Sequence, residues 1–495
     1  MATRALSATG APTLLRRPAV LAGLFVLALT AVRAAFLAVS PLNLFVDEAQ
    51  YWAWSRDLAF GYSSKPPLIA WLIAAATAVC GNGEACVRLP SPLFYAGTSA
   101  AVFALARAMY DERVAAWSAA IVASLPGVSF SALIISTDVP LLFFWAVALV
   151  ALWRLVQGAG TGAAVVLGLA VGLATLSKYA GAYFVLCALV YAAAEGRARA
   201  VLFGRSGAIA LAVALAVIAP NLIWNAANDF ATIGHTAGLA VAGGTRFEIM
   251  KVLEFYGAQF GVFGPLPFAL LTWLALRWIF RPADERARLL MCFALPVLGL
   301  MLAEAFFTRA YANWAAVAYV SATVLVVAAL VERGPRWLGP TVAFHAGGAV
   351  LVYAMLAAGL GLAPFTFGRT DPVSRVTGWD TLAAAVAERA AAYPGAAILV
   401  DDRTLAAAMR YYLRDSGRSV ISWSPPPADV SVTMIAPPVD AATGRDVLFL
   451  PVRFPPEMVA ARFATANALE PVFGPMRSGG GRTLRVWRLT GYRAP

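Results

Sequence analysis

Long apolar stretches separated by short polar loops occupy the first three quarters of the chain. A helix needs roughly 20 apolar residues to cross the hydrocarbon core of a bilayer, where it satisfies its own backbone hydrogen bonds. The pattern therefore predicts about eleven spanning helices, near residues 18–40, 89–109, 114–134, 139–156, 162–179, 181–194, 206–224, 260–280, 289–307, 313–332 and 340–362. The apolar stretch Pro66–Val79 is too short to span and predicts an interfacial helix.

The pattern changes after about residue 364, where charged residues, proline and glycine become more frequent. The periodicity of TLAAAVAERAAAY and RTLAAAMRYYLRD predicts helices, whereas AAILVDD, SVISW, VLFLPV and LRVWRL predict strands. We therefore predict two parts: a transmembrane module over residues 1–363, and a small α/β domain of ordinary size over residues 364–495.

Composition and charge support a membrane protein. The chain of 495 residues is 61% hydrophobic and 13% charged, which is too apolar for a soluble globular domain. Its net charge of +12 comes from arginines in alternate short loops, and this bias places those loops and the N-terminus in the cytoplasm. An odd number of spans then puts the C-terminal domain on the opposite side. No basic stretch with interleaved aromatic residues indicates nucleic-acid binding.

The first loop facing away from the cytoplasm, residues 41–88, begins with two adjacent acids. Asp47 followed three residues later by Gln50 is typical of a helix capping box, so a structural role competes with a catalytic one. A general base must lie within hydrogen-bond reach of the reacting hydroxyl. Asp47 and Glu48 point about 100° apart on a helix, so only one of them can act as the base. Asp138 has the same two interpretations, as a helix cap or as a second acid nearby.

The chain has only three lysines, and all three lie on the side of the membrane opposite the arginine-rich loops. An ammonium group is a compact charge suited to a phosphate oxygen, although a lysine at a helix end can also simply reach toward water. The second explanation is favoured for Lys251, and neither is favoured for Lys178. Lys65, held between serines and two prolines, is a candidate phosphate ligand. Arg88 is either an interfacial anchor or a phosphate ligand.

Cysteine and histidine positions add little chemistry. Cys80 and Cys86 flank a short loop and could form a disulfide, but spacing alone does not decide this. His235 and His345 have no metal-ligand spacing, and the first loop contains no Asp-x-Asp motif. We therefore expect no cofactor, and the sequence does not support a divalent metal.

An ordered set of motifs resembles the GT-C class of membrane glycosyltransferases. The motifs are VDEAQYWAWS, SKPPLIAWL, VRLPS, STDVPLLFFW and LSKYAG. They are similar to those of the lipid A aminoarabinose transferase and the dolichyl-phosphate-mannose–protein mannosyltransferases, and to those of bacterial lipid A galacturonic acid transferases. The resemblance covers about residues 15–330 and is weakest in the C-terminal domain.

The resemblance implies an activity and a set of site residues. The fold would be a polytopic α-helical GT-C bundle with interfacial helices in its first periplasmic loop, set in the inner membrane of a bacterium. The enzyme would move a sugar, usually with inversion, from a polyprenyl phosphate to a lipid A, glycan or protein acceptor. The implied catalytic residues are Asp47, Glu48 and Asp138, and the implied phosphate ligands are Lys65, Arg88 and Lys178. Candidate substrate-binding residues are Tyr51, Tyr179, Arg309, Tyr311 and Asn313.

Two other functions fit the same spans. A transporter or lipid flippase would have ionisable residues near mid-membrane, and Glu304 is placed inside a predicted span. A non-catalytic assembly protein would need its C-terminal domain but not Asp47. Because the remaining notable charges gather at the outer ends of the spans, the pattern favours chemistry at the membrane surface.

Overall fold

The computed structural model describes residues 17–241, 247–280, 284–360, 372–425, 429–439, 446–476 and 479–493. The helices of the N-terminal part are α1 (Pro18–Val39), α2 (Val46–Trp54), α3 (Leu68–Cys80), α4 (Glu84–Arg88), α5 (Pro90–Met109), α6 (Glu112–Ser124), α7 (Pro126–Ser131), α8 (Asp138–Val156), α9 (Thr161–Ser177), α10 (Tyr183–Ala194), α11 (Gly196–Leu202), α12 (Arg205–Ala227), α13 (Ala231–Val241), α14 (Ile249–Val262), α15 (Pro265–Phe280), α16 (Glu285–Cys292), α17 (Leu295–Phe307), α18 (Ala318–Arg333) and α19 (Leu338–Ala357).

The helical membrane architecture is confirmed, but the predicted spans are not all continuous helices. Within the described ranges, six segments are long and apolar enough to cross a membrane: Pro18–Val39, Glu84–Met109, Asp138–Val156, Arg205–Ala227, Glu285–Phe307 and Pro335–Ala357. The predicted span 114–134 breaks before Pro126, which begins α7 because proline is tolerated only in the first turn of a helix. The predicted span 260–280 breaks at Gly264, whose φ is +93°.

The centre of the bundle is formed by α8, with α9 and α12 packed beside it. Trp145 and Leu149 of α8 are fully buried. Gly172 of α9 faces α12 so closely that a Cβ there would lie 2.7 Å from the Cβ of Val217. Small residues of this kind allow membrane helices to approach each other. This packing brings the start of α8 and the end of α9, where Asp138 and Lys178 lie, to the same end of the bundle.

The first loop is a compact layer made of α2, α3 and α4. Trp54 stacks on Tyr62 with ring centroids 4.6 Å apart. A disulfide joins Cys80 at the end of α3 to Cys86 in α4, which answers the question that the spacing left open. The indole of Trp52 donates a hydrogen bond to the side chain of Asn82 in the loop that this disulfide closes (2.9 Å). The loop is therefore fixed by covalent and aromatic contacts.

The C-terminal part is a small α/β domain, as predicted. It contains α20 (Trp379–Ala391), β1 (Ala397–Val400), α21 (Arg403–Tyr412), β2 (Val420–Ser422), α22 (Val430–Thr433), β3 (Val447–Leu450), α23 (Pro456–Ala460), β4 (Phe463–Pro475) and β5 (Gly481–Tyr492). The sheet order is β2-β1-β3-β5-β4, parallel among the first three strands and antiparallel where β5 pairs with β3 and β4. The predicted boundary at residue 364 falls outside the described residues.

The C-terminal domain packs directly on the first loop through α21. The hydroxyl of Tyr412 accepts a hydrogen bond from the backbone of Leu44 (2.7 Å), and the hydroxyl of Tyr411 donates one to the backbone of Asn82 (2.7 Å). The ring of Tyr411 also contacts Trp52 edge-on. The domain therefore holds the loop that carries the two adjacent acids.

Candidate functional site

Asp138 and Lys178 form an ion pair at one end of the bundle. Asp138 begins α8 and Lys178 directly follows α9, and the lysine Nζ lies 2.8 Å from the carboxylate Oδ1. The amide of Asn313 donates a hydrogen bond to Oδ2 of the same carboxylate (2.8 Å). Three predicted site residues from distant parts of the sequence are therefore in direct contact, and both oxygens of Asp138 are engaged.

Asp47 faces a residue that the sequence reasoning missed. It lies in the first turn of α2, and its Oδ1 is 3.2 Å from Nη1 of Arg403, the first residue of α21. The same Nη1 donates to the side chain of Gln50 (2.6 Å). Among the described residues, Oδ2 of Asp47 has no hydrogen-bond partner. One carboxylate oxygen is therefore left to accept a proton or a hydroxyl group.

One signal in the sequence could have indicated Arg403. Asp402 caps α21 by accepting hydrogen bonds from the backbone amides of Thr404 and Leu405, so Arg403 lies in the first turn. A positive charge there is unfavourable next to the positive end of the helix dipole. An arginine at such a position is therefore expected to pair with an acidic group elsewhere in the fold.

Lys65 lies among these charges without a partner of its own. Within the described segments its Nζ makes no hydrogen bond and no ion pair, yet it interacts electrostatically with Asp47, Lys178, Asp138 and Arg403. Burial lowers the pKa of the Lys65 ammonium below its usual value. A buried charge without a partner is costly unless a ligand supplies one. We refer to Asp47, Lys65, Asp138, Lys178 and Arg403 as the polar cluster.

Glu48 and Arg88 form a buried ion pair that is separate from the ion pairs of the polar cluster. The two side chains are 1% and 2% exposed, with Arg88 Nη2 2.7 Å from Glu48 Oε2 and Nε 2.9 Å from Oε1. Glu48 also accepts from the backbone of Phe45 and of Ile135 (both 2.8 Å). All three guanidinium nitrogens of Arg88 donate within the protein, two of them to the backbone of residues 42 and 43. This geometry opposes the catalytic and phosphate-binding roles predicted for the pair and fits a positioning role.

The predicted tyrosines have different surroundings. Tyr51 is almost fully buried, and burial together with the charge of Asp47 raises the pKa of its hydroxyl well above the usual value, so that the hydroxyl stays protonated. The hydroxyl of Tyr179 is hydrogen-bonded to Asn221 (2.9 Å) and Asn225 (3.0 Å). Asn221 in turn donates to the backbone of Phe60 (2.7 Å). Tyr179 therefore supports the segment leading to Lys65 rather than meeting the polar cluster.

The segment FTRAYANW contributes one residue to the polar cluster. Asn313 contacts Asp138, as described above. Arg309 instead lies over the ring of Tyr311, 4.6 Å from its centroid, and both side chains are exposed. In the described part of the chain, no group of three or more histidine, cysteine or acidic residues is arranged to hold a metal ion.

Sequence comparisons assign the chain to a family. The family described as dolichyl-phosphate-mannose-protein mannosyltransferase matches residues 64–224. Lipid A galacturonosyltransferase RgtD of Rhizobium johnstonii is 37% identical over 417 residues, which cover 81% of this chain and 84% of RgtD. The chain belongs to the GT-C family of membrane glycosyltransferases. The resemblance noted in the sequence motifs is thereby confirmed, and the transporter and assembly-protein alternatives are set aside.

Other members of the GT-C family agree with this assignment. The lipopolysaccharide core galacturonosyltransferase RgtA of the same organism is 30% identical over 266 residues, about half of each chain. The crystal structure of ArnT from Cupriavidus metallidurans bound to undecaprenyl phosphate superimposes with a TM-score of 0.65 at 17% identity, covering 95% of this chain and 98% of ArnT. The likeness to ArnT extends across both the helical part and the C-terminal domain.

Proposed function

We propose that this glycosyltransferase moves galacturonic acid from a polyprenyl phosphate to lipid A at the periplasmic face of the bacterial inner membrane. The identity to RgtD supports the sugar and the acceptor, and the fold shared with an ArnT that binds undecaprenyl phosphate supports the carrier. Membrane lipids surround the enzyme, and the donor reaches the site from within the bilayer.

Lys65 is the observation that carries the proposal. In the polar cluster, Arg403 faces Asp47 and Lys178 faces Asp138, so these two acids are already balanced by cations. Among the three cations of the polar cluster, Lys65 alone makes no ion pair with a described residue, although it feels the charges of Asp47 and Asp138. A polyprenyl phosphodiester carries one negative charge, and an ammonium is a suitable ligand for it. The cluster therefore matches the charge of the donor headgroup.

The chemical step follows from this placement. The acceptor hydroxyl attacks the anomeric carbon, and Asp47 takes its proton through the unpaired Oδ2. The bond between that carbon and the phosphate oxygen breaks, and its electron pair stays on the departing phosphate, whose charge grows from about −1 toward −2. Lys65 and Lys178 stabilise this developing charge, and they cost no reorganisation because they are already in place. Attack from the face opposite the phosphate inverts the anomeric configuration.

The remaining predicted residues support this step. Asp138 and Asn313 hold Lys178 in position, while the Glu48–Arg88 pair fixes the start of α2 and therefore Asp47. We propose that Arg309 and Tyr311, both exposed on the segment that carries Asn313, contact the sugar or the acceptor.

We further propose eleven spans, with the N-terminus in the cytoplasm and the C-terminal domain in the periplasm. The arginine-rich loops support this orientation. Reporter fusions after residue 195 and after residue 493 should report cytoplasmic and periplasmic locations, respectively. The same location for both fusions would refute this topology.

The decisive test combines deletion with mass spectrometry of lipid A. The deletion strain should lose one hexuronic acid mass from its lipid A. Wild type should restore that mass, whereas Asp47→Asn and Lys65→Ala should not. Lys251→Ala is the matched control, since this lysine pairs with Glu248 outside the polar cluster, and it should restore the mass fully. An unchanged lipid A in the deletion strain would refute the proposed acceptor.

A further inference from the structure

A groove of about 420 Å³ lies where the first loop meets the C-terminal domain. Val46 lines it from the first loop, and Arg375, Trp379, Thr404 and Arg482 line it from the C-terminal domain. No residue with a role in the proposed transfer step lines this groove. Its lining contains two arginines and no acidic residue, so the groove is strongly cationic.

Aromatic rings hold both arginines in place. The guanidinium of Arg375 lies 4.6 Å from the ring centroid of Phe45 and makes no hydrogen bond or ion pair with any described residue. The guanidinium of Arg482 lies 3.8 Å from the ring centroid of Trp379. Its Nε and Nη2 donate to the backbone of residues 377 and 374, whereas Nη1 donates to no described residue. Planar cations with free N–H groups, fixed before binding, suit phosphate and carboxylate oxygens.

The groove opens beside Asp47 but is separate from the phosphate ligands. Val46 directly precedes Asp47 and Thr404 directly follows Arg403, whereas Lys65 and Lys178 do not line the groove. Consecutive residues of a helix point about 100° apart, so Val46 and Asp47 face different spaces. An inverting transfer needs the acceptor to approach from the side away from the leaving phosphate. Because two lining residues are sequence neighbours of Asp47 and Arg403, the groove lies close enough to Asp47 for one acceptor head to contact both.

We propose that this groove binds an acidic group, either a phosphate or a carboxylate, on the saccharide head of the acceptor. Arg375 is the specificity-determining residue, and Arg482 shapes the groove and adds a second donor. Anchoring the anion here would hold a neighbouring hydroxyl near Asp47. The inference rests on the proposed function, because it assumes that a glycolipid is the acceptor.

The test uses the full-length enzyme in proteoliposomes with a polyprenyl-phosphate sugar donor and three acceptors. These are phosphorylated lipid A, the same lipid after phosphatase treatment, and the dephosphorylated lipid extended by a carboxylate-bearing sugar. For wild type, we expect kcat/KM at least about 10-fold higher for an anionic acceptor than for the neutral one, since a charge-assisted hydrogen bond is worth about 1.5–3 kcal/mol. The anion with the larger advantage is the natural ligand.

Substitutions of Arg375 test whether the preference for an anionic acceptor arises in the groove. Arg375→Gln should raise the KM for the anionic acceptor several-fold, and Arg375→Glu should raise it further. Both should leave the KM for the donor unchanged, and their effect on the KM for the neutral acceptor should be much smaller than their effect on the KM for the anionic one. Arg485→Gln, an exposed arginine of β5 that does not line the groove, is the matched control and should behave as wild type.

Two results would overturn the inference: a wild type that uses neutral and anionic acceptors equally, or an Arg375→Glu enzyme with normal acceptor KM. Failure of the proposed function gives a different result, because wild type would then transfer sugar to none of the three acceptors. Equal melting temperatures of Arg375→Glu and wild type show that the variant is folded.

Discussion

At the scale of single residues, the proposed site depends on Lys65, a partly buried cation for which the donor phosphate would supply the opposite charge. Lys65 differs from the other cations of the polar cluster, which already face carboxylates. A site with an unpaired cation is destabilised when it is empty, and binding of the anion removes this cost. We therefore expect the protonation of Lys65 to control donor binding.

The first prediction concerns alkaline pH. The pKa of Lys65 lies below the usual lysine value because of burial, so in the free enzyme its charge is lost at a lower pH than for an exposed lysine. Above that pKa the phosphate meets a neutral amine. We expect kcat/KM for the donor to fall as pH rises through this range, below the pH at which an ordinary lysine titrates. The charged and titratable groups facing Lys65 are Asp47, Asp138, Lys178, Arg403 and His235.

Lys65→Arg is the control for this pH profile. Arginine stays protonated in proteins, so the variant should keep a reduced activity while its alkaline decline moves to higher pH. An alkaline limb at the same pH in both enzymes would assign the titration to another group.

The second prediction concerns metal removal. The two acids of the polar cluster are each held by a protein cation, and Asn313 takes the second oxygen of Asp138. Neither carboxylate therefore has both oxygens free for a divalent ion. We expect full transfer activity in proteoliposomes treated with EDTA and passed through a chelating resin. Loss of activity that returns with added Mg²⁺ or Mn²⁺ would contradict this prediction.

At the scale of elements, the Glu48–Arg88 pair joins three parts of the chain. It connects the start of α2, the end of α4 and, through the backbone of Ile135, the segment before α8. Breaking a buried pair by removing one partner leaves an uncompensated charge, which typically costs about 3–5 kcal/mol. The third prediction is therefore that Glu48→Gln lowers the melting temperature strongly and Arg88→Gln does the same.

A double variant and a surface pair make this test specific. Glu48→Gln combined with Arg88→Gln should lose less stability than the sum of the two single variants, because neither charge is then left alone. Glu332→Gln, which removes an exposed pair with Arg333, should leave the melting temperature unchanged. Additive losses in the double variant would show that the two residues act independently.

The sequence predicted the elements well where a single local signal decided them. The apolar lengths located the bundle, and the strand patterns located the sheet. It failed where two local signals competed, since the apolar run through 114–134 concealed the break at Pro126. In the site, the order of the motifs correctly predicted that Asp138 and Lys178 lie near each other. It did not predict that Glu48 pairs with Arg88, because this buried pair depends on tertiary packing that sequence spacing does not reveal.

At the scale of the whole molecule, the C-terminal domain contributes one residue to the polar cluster. Arg403 reaches Asp47 from α21, and the tyrosines of that helix hold the first loop. Sequence reasoning could not place this contact, because it joins residues 356 positions apart across two separately folded parts. On the proposed mechanism, the domain therefore belongs to the catalytic unit, because it supplies the cation that faces Asp47.

The fourth prediction tests this dependence. Arg403→Ala should reduce kcat by on the order of 10²-fold, the usual effect of removing one charge-positioning donor from an active site. Arg403→Lys should recover part of the loss. The melting temperature should change little, since the Arg403 side chain is 37% exposed. Arg485→Ala is the matched control and should retain full activity. Normal kcat in Arg403→Ala would show that Asp47 works without this contact.

The contact between Asp47 and Arg403 also has a consequence for biosynthesis. During translation the first loop is inserted long before α21 leaves the ribosome, so the nascent chain holds its base for some time without the arginine that faces it. The proposed role of Arg403 predicts that products terminated before α21 enter the membrane with donor lipids around them but with strongly reduced activity. On the proposed mechanism, full activity is therefore acquired only after α21 has been synthesised and has packed against the first loop.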